Sequence, residues 1–252
     1  MFLCLKKLLV YYTVWPFSKK TTIAASGILN GATDHHSHIL PGVDDGVETM
    51  DEALRILAKY ESLGIRVLWL TPHIMEDIPN SPQKLATRFE ELKSAYNGNI
   101  ELHLAAEYMI DNHLRKQLAE NAELLPIGNS GKHILVETSY YSSPMKMRDT
   151  LQQIKAKGYH SLLAHPERYM YLDNSEYQKL HGEGVKFQLN LASLAGGYGP
   201  VVKRKALWLL SNEFYSVAGS DLHSEDYIEF ITKCKLSKEN IEAVKRLLQN
   251  KL

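Results

Sequence analysis

Seven short strand-like runs, each followed by a stretch of helical periodicity, constrain this chain more than any other feature. Residues 33–38, 65–70, 100–106, 132–136, 160–164, 185–190 and 214–218 read as strands, the first polar with alternating side chains and the others short runs with an apolar share. Helix starts stand between them. Thr49-Met50-Asp51-Glu52 has the capping-box form, with apolar residues at 54, 57, 58 and 63 behind it and Gly64 ending the helix. Ser81-Pro82 and Ser143-Pro144 open helices with proline in the first turn, reaching to about 97–98 and to Gly158. Further helices are predicted over 111–121, 175–183 and 199–212, with a last one from the Ser237 cap nearly to Leu252. Strict strand–helix alternation implies parallel strands joined by right-handed crossovers. Polar residues gather at the C-terminal ends of nearly all seven runs, which favours a closed barrel over an open sheet with one switch point. The expected fold is therefore α/β, a distorted seven-stranded TIM-like (β/α) barrel. A single domain is expected over 31–252, behind an N-terminal extension over 1–30.

Composition narrows the classes of function. The 252 residues carry 29 basic and 29 acidic side chains for a net charge of +0, which argues against a nucleic-acid binder working by bulk electrostatics. Cys4 and Cys234 make no disulfide framework, so a reducing, cytoplasmic setting is expected. The apolar run 8–15 is far shorter than a membrane span and has no small-residue cleavage pattern. The chain is thus not expected to be an integral membrane protein.

The strand ends carry the chemistry. Asp34-His35-His36-Ser37-His38 places alternate side chains on one face, so Asp34, His36 and His38 are expected to project together. Adding the other strand ends gives His36, His38, His73, Glu107, Glu137, His165, Asp221 and His223, with Asp45 in the first loop. All are His or carboxylate, none is Cys, and so many donors exceed one coordination sphere, so two or three divalent ions are implied. The remaining histidines, His35, His103, His113, His133, His160 and His181, sit off the strand ends and are read as structural or solvated.

The order of motifs, Asp-x-His-x-His, Pro-Gly-x-Asp-Asp-Gly, Thr-Pro-His, Ala-Glu-Tyr, Val-Glu-Thr, Ala-His-Pro-Glu-Arg-Tyr and Ser-Asp-Leu-His, resembles the polymerase-and-histidinol-phosphatase (PHP) superfamily. Within it the chain is similar to the bacterial manganese-dependent protein-tyrosine phosphatases of capsule and exopolysaccharide loci. The resemblance runs from about residue 33 to residue 224. It implies a distorted (β/α)7 barrel, one metal on His36, His38, Glu107 and Asp221, a second on Glu107, Glu137 and His165, and a third on Asp45, His73 and His223. It makes Arg168 the phosphate-gripping arginine and implies Mn²⁺, with Fe, Co or Zn compatible with the same donors. It also implies a phosphotyrosine protein as partner, the tail of a membrane tyrosine autokinase. A homo-oligomer is compatible with it. Relatives carry a second phosphate-binding arginine shortly after Ser-Asp-x-His, but this chain reads Ser224-Glu225-Asp226-Tyr227 there.

Such a donor set suits phosphate-ester hydrolysis. Metals roughly 3.5–4 Å apart neutralise the phosphoryl oxygens and bring the pKa of bound water from 15.7 towards about 7. The expected mechanism is direct attack of this activated water on phosphorus, with no phosphoenzyme. Arg168 is expected to clamp the phosphate through its planar fork, and His73 could serve as an acid, although a phenolate of pKa about 10 leaves without a strong one. A cysteine-dependent phosphatase needs Cys-x5-Arg, whereas Val10 and Asn240 stand six beyond Cys4 and Cys234. Three other readings fit the same barrel: a histidinol-phosphate-type or other small-molecule phosphoesterase, a C–N hydrolase, and a metal-bound assembly module without turnover. The C–N hydrolase is disfavoured because no lysine stands at a strand end.

Overall fold

A computed structural model describes residues 20–252; the apolar run 8–15 and Cys4 lie outside the described residues. Its strands form a parallel three-stranded sheet (Thr33–Asp34, Val67–Leu70, Glu101–Leu104) and a parallel six-stranded sheet. The six run in spatial order Tyr215–Gly219, Lys186–Asn190, His160–Ala164, His133–Glu137, Glu107–Met109 and His73–Ile74. These sheets are two parts of one wall. Pro72 has no N–H to donate, and the second barrel strand breaks there into Val67–Leu70 and His73–Ile74. The third is interrupted at the same level, at Ala105-Ala106, and bonds from Ala105 N to Leu70 O (2.8 Å) and Glu107 N to Pro72 O (3.1 Å) carry the ladder across. The ring closes where Asp221 N donates to His36 O (2.8 Å), His38 N to Leu222 O (2.9 Å) and Thr71 N to Ser37 O (2.8 Å). This is the distorted seven-stranded barrel that the alternation predicts.

Strand periodicity explains where the site lies. Trp69, Ala105, Leu135, Leu162, Ala164 and Val217 face the barrel interior and pack into one apolar cluster, with Ile127 and Leu252 packed against them. Leu68, Leu70, Ile134, Val136, Leu163 and Ala218 face outward into the main core beneath the helices. Beyond the inward apolar layer the same faces carry Glu107 and Glu137, two residues after Ala105 and Leu135, and His73, four after Trp69, so an apolar lower barrel ends in a polar upper one. Gly219 is required at the closing seam: a Cβ there would lie 2.5 Å from His36 Cβ.

Helix starts largely follow the capping signals. Thr49, Ser81 and Ser237 side chains accept from the backbone N–H of Glu52, Lys84 and Asn240, and Asp173 caps Asn174–Gly182. Gly64, at φ 92, ends the helix Met50–Leu63 in the left-handed region. The Ser143-Pro144 helix differs. It begins only at Met147, whose N–H bonds to Pro144 O, and its cap residue Lys146 offers no side-chain acceptor. Two short helices, Leu191–Ala195 and Asp226–Thr232, carry no sequence reading. Residues 20–30 fall in the stretch read as an extension. There Thr21–Thr22 pairs antiparallel with Lys235–Leu236, and Ile23 is fully buried. No helix among the described residues is long and apolar enough to cross a membrane.

His133, buried at the start of its strand beside His160, is pushed down to about 4 by burial and then by Lys186 and His160. An unfolded histidine takes up its proton near 6.5, so between these values the unfolded chain binds more protons and stability falls as pH drops. Denaturant titrations at pH 7.5 and pH 5 should show that His133→Asn reduces the loss between them by about 2 kcal/mol. An unchanged loss contradicts the assignment.

Candidate metal centre

The strand ends and first loop of the barrel bring all nine donors chosen from the sequence into one cluster, seven of them lining a cavity and His36 and His38 behind it. Glu107, fully buried, is its centre. Its Oε2 lies 3.1 Å from His36 Nε2, 3.3 Å from His38 Nε2 and 3.3 Å from His73 Nδ1, and its Oε1 lies 3.0 Å from His165 Nε2. Asp221 Oδ1 is 3.4 Å from both His36 Nε2 and His38 Nε2. Glu137 reaches His73 Nδ1 at 3.3 Å and His165 Nε2 at 3.9 Å. Asp45, its side chain 64% exposed at the mouth, faces His73 Nε2 at 3.5 Å and His223 Nε2 at 3.6 Å. His165 and Asp221 both take left-handed backbone, at φ 31 and 54. Such strain in residues other than glycine persists where surrounding structure enforces it.

Three compact donor groups emerge: His36, Glu107, His165 and Asp221; His73, Glu107 and Glu137; and His38, Asp45, His73 and His223. Relative to the sets implied by resemblance, His38 moves from the first to the third, His165 moves from the second to the first, and His73 joins the second while staying in the third. His38 faces two of them, since its Nε2 also stands 3.1 Å from His36 Nε2. Asp34 does not join them. Its carboxylate instead accepts from Tyr60 OH (3.1 Å), Ser220 N (2.9 Å) and His36 N (3.2 Å). The strand leaves regular pairing after Asp34, so alternation no longer places its side chain with those of His36 and His38.

The donors fit divalent cations on three counts. Five carboxylates (Asp44, Asp45, Glu107, Glu137 and Asp221) crowd the site, and Arg168 is the one permanent cation lining the cavity among the described residues. Buried like charges need neutralising. His73 Nδ1 and His165 Nδ1 are buried without a hydrogen-bond partner, and His73 Nδ1 lacks one although two carboxylates lie 3.3 Å away. Nitrogen and oxygen donors without thiolate suit Mn, Fe, Co or Zn.

The groups also titrate against one another. Burial opposes the charge on Glu107, but His36 and hydrogen bonds from His165, His36 and His38 outweigh it and hold the carboxyl well below the usual range. Burial and then repulsion from Glu107 and Asp221 push Glu137 well up. Burial and then His38 bring His73 down to about 4. The hydrogen bond to His223 leads the causes that bring Asp45 down to about 2.

Behind the donors stand residues that the sequence did not single out. Asp44 accepts from His38 Nδ1 (2.8 Å), His73 N (3.0 Å) and Gly46 N (3.0 Å), and Gln188 Oε1 meets His36 Nδ1 at 3.0 Å. Such partners fix ring orientation and tautomer. The Asp44-Asp45 pair hinted at the first, but nothing local signals Gln188, whose partner is 152 residues away. Arg168 donates from Nη1 to Asp221 Oδ2 at 2.8 Å and pairs with neither Glu167 nor Asp173. Glu167 accepts from Tyr215 OH and Asn190 N, and Asp173 caps its helix. Tyr140, Tyr198 and Tyr227 complete the cavity wall.

Residues 32–240 match the family described as capsular polysaccharide synthesis, CpsB/CapC. The chain is 28% identical over 206 residues to the tyrosine-protein phosphatase YwqE of Bacillus subtilis (strain 168), covering 79% of this chain and 80% of that protein. It is 27% identical over 206 residues to the tyrosine-protein phosphatase CpsB of Streptococcus pneumoniae, covering 77% and 83%. A crystal structure from work on YwqE and CpsB, described as unique metal-dependent tyrosine phosphatases, superposes with a TM-score of 0.72 at 24% identity. That alignment covers 87% of this chain and 95% of the other. The likeness shows the same fold.

Proposed function

The chain belongs to the CpsB/CapC family of capsular polysaccharide synthesis, and from that premise we propose that it is a metal-dependent protein-tyrosine phosphatase. The observation that carries the reading is the convergence of five imidazoles and four carboxylates in one cluster, beside a cavity whose wall also holds Arg168. His36, His38, Asp45, His73, Glu107, Glu137, His165, Asp221 and His223 hold two or three divalent ions, with manganese our expectation. Ions held there would supply charge neutralisation at the phosphoryl group and a more acidic water for direct attack on phosphorus. Glu107, within 3.3 Å of four imidazole nitrogens, would serve more than one donor group; Asp44 and Gln188 keep His38 and His36 turned inward. His73, neutral at physiological pH because burial and then His38 lower its pKa to about 4, keeps one ring nitrogen free as a lone-pair donor. Asp45, ionised at the mouth, completes the outer group with His223. Arg168 lines the cavity with Nη1 held on Asp221, and its remaining donors would grip the non-bridging oxygens. A phenolate leaving group, of pKa about 10, departs without a strong acid.

The substrate on this reading is a phosphotyrosine protein, and by analogy with the family's part in capsule synthesis it is the tail of a tyrosine autokinase at the cytoplasmic face of the membrane. Manganese-loaded protein assayed on a phosphotyrosine peptide, a phosphoserine peptide and histidinol phosphate tests the substrate class. Release of phosphate selectively from phosphotyrosine is expected. Selective turnover of histidinol phosphate would overturn the protein substrate.

A further inference from the structure

The cavity wall has one arginine, and that arginine is held in an unusual way. Its guanidinium carbon lies 4.2 Å from the centre of the Tyr140 ring and 4.1 Å from that of Tyr198. Both rings are anchored from behind. Tyr140 stacks on Tyr169 at 6.1 Å, and Tyr169 in turn stacks on Tyr171 at 5.9 Å. Tyr198 takes a hydrogen bond from Asn190 Nδ2 at 3.2 Å, and the same amide donates to Asp221 Oδ2 at 2.7 Å.

We propose that Tyr140 and Tyr198 are positioning residues that clamp the Arg168 guanidinium between their rings and so set its plane for gripping phosphate. The proposal rests on the phosphatase reading for its ligand and goes beyond it in naming what makes the grip work. An unclamped arginine loses rotamer freedom on binding an anion; one already fixed by two rings loses less, and affinity rises by the difference. A site with a single arginine gains most from such fixing. Cation–π contact, stronger where water is excluded, supplies the hold.

The test uses inorganic phosphate as the probe, bound to the metal-loaded full chain and followed by calorimetry, beside KM for a phosphotyrosine peptide and metal content. Tyr140→Leu and Tyr198→Leu should each weaken phosphate about tenfold, and raise KM with it, at unchanged metal content. Tyr140→Phe and Tyr198→Phe, which keep the ring, should restore most of the affinity. In an Arg168→Lys background the leucine substitutions should add less than about twofold, because the rings act through the guanidinium. Leucine variants that bind phosphate like the parent overturn the proposal, as do phenylalanine variants as weak as leucine ones. Full additivity with Arg168→Lys, or a parent protein that binds no phosphate, overturns it as well. If the parent binds phosphate with this ring dependence but does not hydrolyse phosphotyrosine, the clamp stands and the substrate reading falls.

Discussion

Glu107→Gln should lower phosphotyrosine turnover by roughly 10²–10³-fold, the scale on which a preorganised charge-stabilising group counts in catalysis. The substitution keeps the volume and shape of a fully buried side chain, so packing is not at issue. It removes a negative charge that stands within 3.3 Å of four imidazole nitrogens, on His36, His38, His73 and His165. An amide offers two N–H groups on one side, so one of those nitrogens must face a donor where it faced a carboxylate. Glu137 lies near only His73 and His165, at 3.3 and 3.9 Å. Glu137→Gln should accordingly cost less. Steady-state kinetics and metal content on both variants check this order, and Glu107→Gln turning over within threefold of the parent would remove Glu107 from the centre of the account.

Stripping metal should lower the melting temperature markedly. Five carboxylates crowd one arginine among the described residues, enough repulsion with burial to push Glu137 well above the usual carboxylate range, and divalent ions would relieve it. Ions present at a hundred times their dissociation constant stabilise the native state by about 2.7 kcal/mol. For a domain of this size each kcal/mol moves the melting temperature about 2–4 °C, so chelation should cost roughly 5–10 °C. Arg168→Ala should leave that difference largely intact, since Arg168 is no ligand. Coincident melting curves with and without chelator would contradict a centre that neutralises buried charge.

Much of this molecule is legible in its sequence, for identifiable reasons. Caps such as Thr49, Ser81 and Ser237 act within three residues, so local sequence specifies them. The barrel follows from alternation, and the inward position of His73, Glu107 and Glu137 follows from a period of two running on from Trp69, Ala105 and Leu135. Asp34 marks where that logic ends, because period two holds only while the strand stays paired. Leu191–Ala195 is one turn long and sets up no periodicity to detect. Ser143-Pro144 looks like a helix start, but its turn is used up before Met147. Gln188 and the rings around Arg168 are tertiary facts, since their partners lie far away in the chain. The division of donors into groups depends on sub-ångström placement that spacing does not encode.

Metal stoichiometry measured against activity is the most direct test of the central claim. Protein stripped by chelator and reloaded stepwise with Mn²⁺ would be assayed on a phosphotyrosine peptide while bound ions per chain are counted by mass spectrometry. The account predicts no turnover in the stripped protein and activity that rises with occupancy to a plateau at two or three ions per chain. Full turnover by protein holding well under one ion per chain would contradict it.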